Sequence, residues 1–249
     1  MINLANKSIV VTGAESGIGR AIALRCVNLG ARVCAAGYDA SGLQETVQQA
    51  DLSNGGRIVD FKVDIRDNAA VESMYEFACS RFDGLSGVVA NAGVIALAPF
   101  EEMELSEWER VISVNLTGTF QTLWHAAKIL IKQGRGGSLI ATGSSTALRA
   151  IPNAAAYVAS KGGVHALMQA LELELGKHRI RVNTLVPGQT ATPPLRAIPG
   201  YLENAAATLP LREVTEPEEL GWLVAFALSD LTPHMTGSHL KIDAGRTIA

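Results

Sequence analysis

A large excess of charge of either sign is missing from this sequence. Its 21 lysines and arginines stand against 24 aspartates and glutamates, a formal net charge of −3, which removes any case for nucleic acid or an anionic membrane as partner. No stretch of 18 uncharged apolar residues occurs, so no transmembrane helix is predicted. The segment MINLANKSIVVTG has no cationic region, long apolar run or small-residue cleavage site, and no signal peptide is expected. Cysteine is scarce: Cys26, Cys34 and Cys79 are odd in number, lack CxxC spacing and lie in apolar segments. They are expected to be reduced core residues of a cytoplasmic protein. The histidines, His125, His165, His178, His234 and His239, share no ligand spacing with one another or with cysteine, so no metal site is predicted. Low-complexity stretches, repeats and linkers are absent too, and residues 1–249 read as one domain.

What is present is apolar and periodic. Of the residues, 48% are hydrophobic, enough for a substantial core. The runs SIVVT (8–12), RVCAA (32–36), RIVDFKV (57–63), GVVA (87–90), SLIAT (138–142), RVNTLV (181–186) and HLKI (239–242) read as strands, separated by segments of helical period. Ile18, Ile22, Cys26 and Leu29 mark the buried stripe of the first helix, 17–29. Strands alternating with helices predict an α/β fold: a doubly wound parallel sheet of seven strands with helices on both faces. A helix over 106–132 is expected to open with a capping box, Ser106 and Glu109. A second, 153–176, is apolar nearly all round, through Val164, Leu167, Met168, Leu171 and Leu173. One face for the sheet and another for a second subunit predict a symmetric oligomer. Residues 188–212 hold four prolines and two glycines and read as an irregular substrate-binding loop or lid.

Two short stretches carry the chemistry. TGAESGIG, Thr12 to Gly19, follows the first strand and opens the first helix. Gly13, Gly17 and Gly19 permit a tight turn, and a helix N-terminus offers free N–H groups and a positive dipole end. Gly13, Glu15, Ser16, Gly17, Ile18 and Gly19 are therefore candidate contacts of a dinucleotide pyrophosphate, against the plainer reading of a glycine-rich turn. In AAAYVASKGG, residues 154–163, Tyr157 and Lys161 lie four apart among small side chains. On a helix they share a face, so phenol and ammonium reach a common point, although a solvated surface pair would show the same spacing.

The sequence resembles the short-chain dehydrogenase/reductase family over essentially its whole length. Besides TGAESGIG and YVASK, the resemblance rests on ANAG (90–93), VNLTGTF (114–120), GSLIATGS (137–144), RVNTLVPG (181–188) and TGSHLKIDAG (236–245), all in the family's order. It implies a Rossmann-type domain, a homodimer or homotetramer, and hydride transfer between a nicotinamide dinucleotide and a secondary alcohol or ketone. Tyr157 would be the acid or base at the substrate oxygen, with Lys161 easing its ionisation below the ~10 of a free phenol and binding the nicotinamide ribose. The family's substrate-facing serine stands thirteen residues before the tyrosine, which selects Ser144, with Ser145 as the alternative. Asn115 matches an asparagine that the family uses at a helix kink, in a proton relay to the lysine. Among implied cofactor contacts, Asp64 and Ile65 meet the adenine and Asn91, Ala92 and Gly93 pass the adenosine ribose. Pro187 and Gly188 lie beneath the nicotinamide, and Thr190 and Thr192 hold its carboxamide.

NADP-preferring members carry a basic residue just before the second loop glycine or just after the second strand. Here those places hold Ser16, preceded by Glu15, and Tyr38, followed by Asp39. A 2′-phosphate would meet carboxylates, so NAD is expected, with NADP the alternative. NAD-preferring members usually end the second strand with aspartate; Gly37 stands there, so Asp39 would have to reach the ribose from two residues on. The expected substrate walls, Val94, Ile95, Leu148, Leu195, Ile198 and Tyr201, suit a neutral or weakly polar substrate, while Arg149 and Arg196 are candidates for gripping a carboxylate. An NADP-dependent 3-oxoacyl-type reductase and a nucleotide-binding regulator without catalysis are the rival readings. Asn115, Ser144, Tyr157 and Lys161 together favour an enzyme.

Overall fold

The structure, a computed structural model, describes residues 1–248. In chain order come β1 (Ser8–Thr12), α1 (Gly17–Asn28), β2 (Arg32–Gly37), α2 (Ala40–Gln48), β3 (Arg57–Lys62), α3 (Asn68–Phe82), β4 (Gly87–Ala90) and α4 (Leu105–Ile112). Then follow α5 (Thr119–Gln133), β5 (Gly137–Thr142), α6 (Ala155–Leu175), β6 (Ile180–Pro187), α7 (Pro193–Arg196), α8 (Tyr201–Ala207), α9 (Pro217–Leu228) and β7 (His239–Ile242). Each of the seven expected strands is present, with ends within one residue of those read from the sequence. All strands are parallel, in the order β3-β2-β1-β4-β5-β6-β7. The winding reverses between β1 and β4, which opens a crevice at the strands' C-terminal ends.

Side-chain alternation assigns the core to two layers. Ile9 and Val11 of β1 pack with Ile22 and Cys26 of α1 and Leu220 and Val224 of α9 on one face. Val10 points the other way, to Met74 of α3, Leu123 of α5 and Met168 of α6. Each such side chain contributes about 1.5–3 kcal/mol of burial free energy. Cys26 and Cys34 fall in opposite layers, and burial pushes both thiols up to about 12, so they stay protonated and apart.

Three expectations are corrected. The helix over 106–132 is interrupted: α4 and α5 are joined by a π-helical turn at Ser113–Gly118. Its start lies at Leu105, where the Glu104 carbonyl accepts from the N–H groups of Glu107 and Trp108 at 3.0 and 3.1 Å. Ser106 is thus already inside the helix and the Ser106/Glu109 capping box does not form. Residues 188–212 are not irregular throughout. Pro193 and Pro194 open α7, because a proline in the first turn gives up only N–H groups that have no intrahelical partner. Gly200, at φ +70°, precedes α8.

Candidate active site

The crevice is a cleft of about 720 Å3 reaching from the α1 start to Lys161 and α7. At its floor β1 turns through Gly13 (φ +68°) and Gly17 (φ +51°) into α1. At Gly19 a Cβ would lie 1.9 Å from the Gly13 carbonyl oxygen, so only glycine lets the helix start this close to the strand end. Ser16 occupies the N-cap position yet makes no capping bond, and no acid lies in the first turn. The first N–H groups of α1 are thereby left for a ligand beside the cleft, which Ser16, Gly17 and Ile18 line. Thr192 folds over this turn, its Cγ2 3.2 Å from where a Gly17 Cβ would be.

Of the expected cofactor contacts, only Asp39 is absent from the cleft wall. Its carboxylate caps α2, accepting from the N–H groups of Ser41 and Gly42 at 3.1 and 3.3 Å and from the Ser41 hydroxyl at 2.8 Å. The expected reach of Asp39 to a ribose is corrected accordingly. Glu15 lies on the cleft wall beside the end of β2: the Tyr38 N–H donates to its Oε1 at 3.3 Å, while Oε2 is buried without a partner. On the other side of Tyr38, Asp64 is gripped by Arg66, whose Nε and Nη2 donate at 2.9 and 2.6 Å. That guanidinium holds the Asp64 carboxyl below its ordinary value. Ile65 packs where a Gly118 side chain would stand, 2.6 Å from its Cβ. Asn91 staples strand ends, receiving the Thr142 hydroxyl at 3.0 Å and donating to the Thr12 carbonyl at 3.2 Å, while Ala92 and Gly93 continue along the wall.

Towards the opposite end, β5 delivers Ser144 and α6 delivers Tyr157 and Lys161. Ser144 caps a 3-10 turn, Ser145–Ala147, accepting from the Thr146 N–H at 3.1 Å and hydroxyl at 2.8 Å. With both bonds accepted, its own hydrogen is available for the cleft. Ser144 lines the cleft and Ser145 does not, which separates the two alternatives. Burial raises the Tyr157 phenol, and the facing Ser144 hydroxyl offsets part of that rise. The expected fall of the phenol is therefore not seen in the free protein. Lys161, 5.9 Å from the ring centroid, is itself buried and desolvated, which pulls it from 10.5 to about 8. One of its N–H groups donates to the Thr142 carbonyl at 2.7 Å, leaving two others.

Asn115 lies behind the wall, fully buried in the π turn. Its amide donates to the Val94 carbonyl at 2.8 Å and the Ser160 hydroxyl at 3.0 Å and accepts from the Val94 N–H at 2.8 Å. It thus ties the segment after β4 to α6. A Cβ on Gly93 would be 3.3 Å from both the Asn115 Oδ1 and the Lys161 Nζ, so the two groups approach one point.

Pro187, Gly188, Thr190 and Thr192 line the far side of the cleft, as do Val94, Ile95 and Leu195. Leu148, Ile198 and Tyr201, expected on the substrate wall, are not on it; the Tyr201 hydroxyl bonds the Gln189 side chain at 3.1 Å. Neither candidate carboxylate grip lines the cleft. Arg149 donates to the Arg246 carbonyl at 2.9 Å, and Arg196 pairs with Glu216. Sequence reasoning missed Arg66 and Arg110 on the wall. Arg66 had a signal, its place two residues from Asp64; Arg110, paired with Glu107 within α4, had none. It also missed His165, whose Nε2 accepts from the Ser144 N–H at 3.3 Å. Burial pushes that imidazole down to about 4, so it stays neutral and able to accept.

Comparison with known proteins agrees with this geometry. A family model described as Enoyl-(Acyl carrier protein) reductase matches residues 13–247. The chain is 33% identical over 245 residues to L-rhamnose 1-dehydrogenase (NAD(P)(+)) of Sphingomonas sp. (strain SKA58), covering 97% of this chain and 96% of that protein. It is 34% identical over 253 residues to (3R)-3-hydroxyacyl-CoA dehydrogenase of Rattus norvegicus, covering 98% and 97%. The crystal structure of a short-chain type dehydrogenase/reductase from Mycobacterium marinum superposes with a TM-score of 0.94 at 31% identity, over 100% of this chain and 98% of that one. With the match running from the glycine turn past the last strand, the chain belongs to the short-chain dehydrogenase/reductase family, oxidoreductases of CH–OH groups that use a nicotinamide cofactor.

Proposed function

We propose that this protein is an NAD-preferring dehydrogenase or reductase of a neutral secondary alcohol or ketone, with Tyr157 as general acid and base. The observation that carries the reading is the convergence of Ser144, Tyr157 and Lys161 on one end of a cleft whose other end is an uncapped helix start. The residues fit a nicotinamide dinucleotide. Glycine is required where the pyrophosphate would approach, at Gly13, Gly17 and Gly19, and the N–H groups at the α1 start would hold it. Lys161 would bind the nicotinamide ribose, Thr190 and Thr192 the carboxamide. The bound dinucleotide would give or accept the hydride.

In the direction of reduction, the Tyr157 hydroxyl gives its proton to the carbonyl oxygen. Ser144 donates a hydrogen bond to the same oxygen and fixes its position. The raised phenol suits the acid's role, since it is protonated at neutral pH. In the direction of oxidation the phenol must take the alcohol's proton as phenolate, which the Lys161 ammonium stabilises. Asn115 touches neither reactant; it positions Val94 and α6, and so Lys161.

Several features support the narrower statements. Neither Ser16 nor Tyr38 brings a positive charge to a 2′-phosphate, and both arginines on the wall, Arg66 and Arg110, are engaged by carboxylates. With Arg149 and Arg196 both off the cleft wall, a neutral substrate fits better than an acid. The relatives named for a sugar and an acyl-CoA share the reaction and not the substrate, so the reaction is the firmer inference. Apolar side chains exposed on α5 and α6, Phe120, Trp124, Ile131 and Leu173, support a homodimer or homotetramer. Light scattering checks it; a monomer at micromolar concentration would contradict it. The functional reading is tested by absorbance at the nicotinamide band with a panel of alcohols and ketones, both cofactors and both directions. We expect turnover on uncharged secondary alcohols or ketones, faster with NAD(H). Higher kcat/KM with NADP(H) removes the cofactor preference, and no turnover on any member removes the enzyme.

A further inference from the structure

Tyr157 and Lys161 are the first two rungs of an inclined stripe on α6, and the third, another four residues along, is His165. Its ring is buried beside Gly143 and Ser144. The Nε2 accepts from the Ser144 N–H at 3.3 Å, and a ring nitrogen that accepts carries no proton, so the proton sits on Nδ1. The helix that supplies the phenol and the ammonium thereby also holds the peptide of the serine.

The surroundings are fitted to this ring. A Cβ on Gly143 would fall 2.2 Å from Nε2 and 2.6 Å from Cδ2, so only glycine before Ser144 leaves room for the imidazole. The sheet ladder runs out at the same point. The Gly143 N–H still donates to the Leu185 carbonyl of β6 at 2.8 Å, whereas the Ser144 N–H goes to the side chain. Behind the ring packs His239 of β7, with centroids 4.8 Å apart. Burial, with His239 and the Lys161 ammonium adding to it, pushes the His165 imidazole down to about 4, which keeps Nε2 an acceptor at neutral pH.

What the bond sets is the direction of the serine. The Ser144 Oγ accepts from the Thr146 N–H and hydroxyl and faces the Tyr157 hydroxyl, so its one hydrogen is aimed by the orientation of its own peptide. A peptide free to rotate would spread that hydrogen over several directions. Resting on the enzyme reading, we infer that His165 is a positioning residue of the reaction: its neutral imidazole ties the Ser144 peptide to α6 and so fixes the Ser144 hydroxyl relative to Tyr157 at the substrate oxygen. His165 lies off the cleft wall and acts only through Ser144.

The test is a double-mutant cycle with Ser144→Ala, read by steady-state kinetics on the best substrate of the panel and by fluorescence titration with NADH. His165→Met keeps a side chain of similar length and removes the acceptor. Its kcat should fall about tenfold, with the substrate KM and the NADH Kd within about threefold of wild type. His165→Gln, whose amide oxygen can accept the same bond, should recover kcat to within about threefold of wild type. With Ser144→Ala already in place, His165→Met should change kcat by less than about twofold, because the hydroxyl it positions is gone. A residue that only supports the fold would lower kcat equally in both backgrounds, and that result overturns the assignment. So does wild-type kcat in His165→Met, or a glutamine variant no faster than the methionine one. Should His165→Met fail to fold, Gly143→Ala replaces it in the cycle, since its Cβ displaces the same nitrogen. A loss independent of the Ser144 hydroxyl, or no loss, then overturns the assignment. Failure of the cycle in an active wild type sinks this assignment alone, whereas a wild type without turnover on any alcohol or ketone sinks the enzyme reading with it.

Discussion

Replacing Lys161 with methionine should make the free protein more stable at neutral pH while removing its activity. Lys161 is 3% exposed, and desolvation pulls its ammonium from 10.5 to about 8. At 1.36 kcal/mol for each pKa unit, holding the charge in the fold costs about 3 kcal/mol at pH 7. Methionine removes that cost and gives up the hydrogen bond to the Thr142 carbonyl, about 1 kcal/mol. The net gain is about 2 kcal/mol, or roughly 4–8 °C in Tm for a chain of this size. The sign follows from a depressed folded value. Below about 8 the lysine is charged in both states and the cost is fully present; above 10.5 it is neutral in both and the cost is gone. The advantage of Lys161→Met should therefore shrink as pH rises from 8 and be nearly lost at pH 10. Scanning calorimetry of dinucleotide-free protein at pH 7 and pH 10 measures both values. A variant less stable than wild type at pH 7, or a gap that does not change with pH, refutes the reasoning.

Three further substitutions probe the scaffold of the site. Gly19→Ala drives a Cβ into the Gly13 carbonyl, so dinucleotide affinity by fluorescence titration should fall by about 100-fold or more. Gly162→Ala, where nothing lies within 4 Å, should instead raise stability by about 0.5–1 kcal/mol; equal effects would mean that the loop tolerates a side chain. Asn115→Ala loses three buried hydrogen bonds and should cost about 3 kcal/mol, lowering both Tm and kcat/KM. An unchanged Tm would show that Asn115 does not hold Val94 to α6.

The strands were legible because parallel strands buried on both faces are nearly continuous apolar runs, as SIVVT and SLIAT are, bounded by glycine or polar residues. The glycine turn and the Tyr157–Lys161 face were legible for a related reason: both are local, within eight and five residues. Part of what escaped the sequence was set by distant contacts. The π turn at Ser113–Gly118 is stabilised by Asn115 reaching Val94 and Ser160, 21 and 45 residues away, so helical period alone runs straight through it. Residues 188–212 misled because their prolines read as breakers, whereas two of them open a helix. Asp39 stands two residues before Ser41 and caps a helix, a local role that leaves its carboxylate off the cleft wall. The carboxylate that faces the cleft beside β2 belongs to Glu15, 22 positions before Gly37.

The central claim is that Tyr157 moves the proton, and Tyr157→Phe tests it most directly, because it deletes one oxygen and keeps the ring beside Lys161. Binding of NADH by fluorescence titration and turnover in both directions are to be measured on the same preparation. Removing a general acid and base costs about 10²–10⁴ in rate, so kcat should fall by at least about 100-fold while the NADH Kd stays within about threefold. Turnover within tenfold of wild type, or affinity and turnover lost together, would contradict the account.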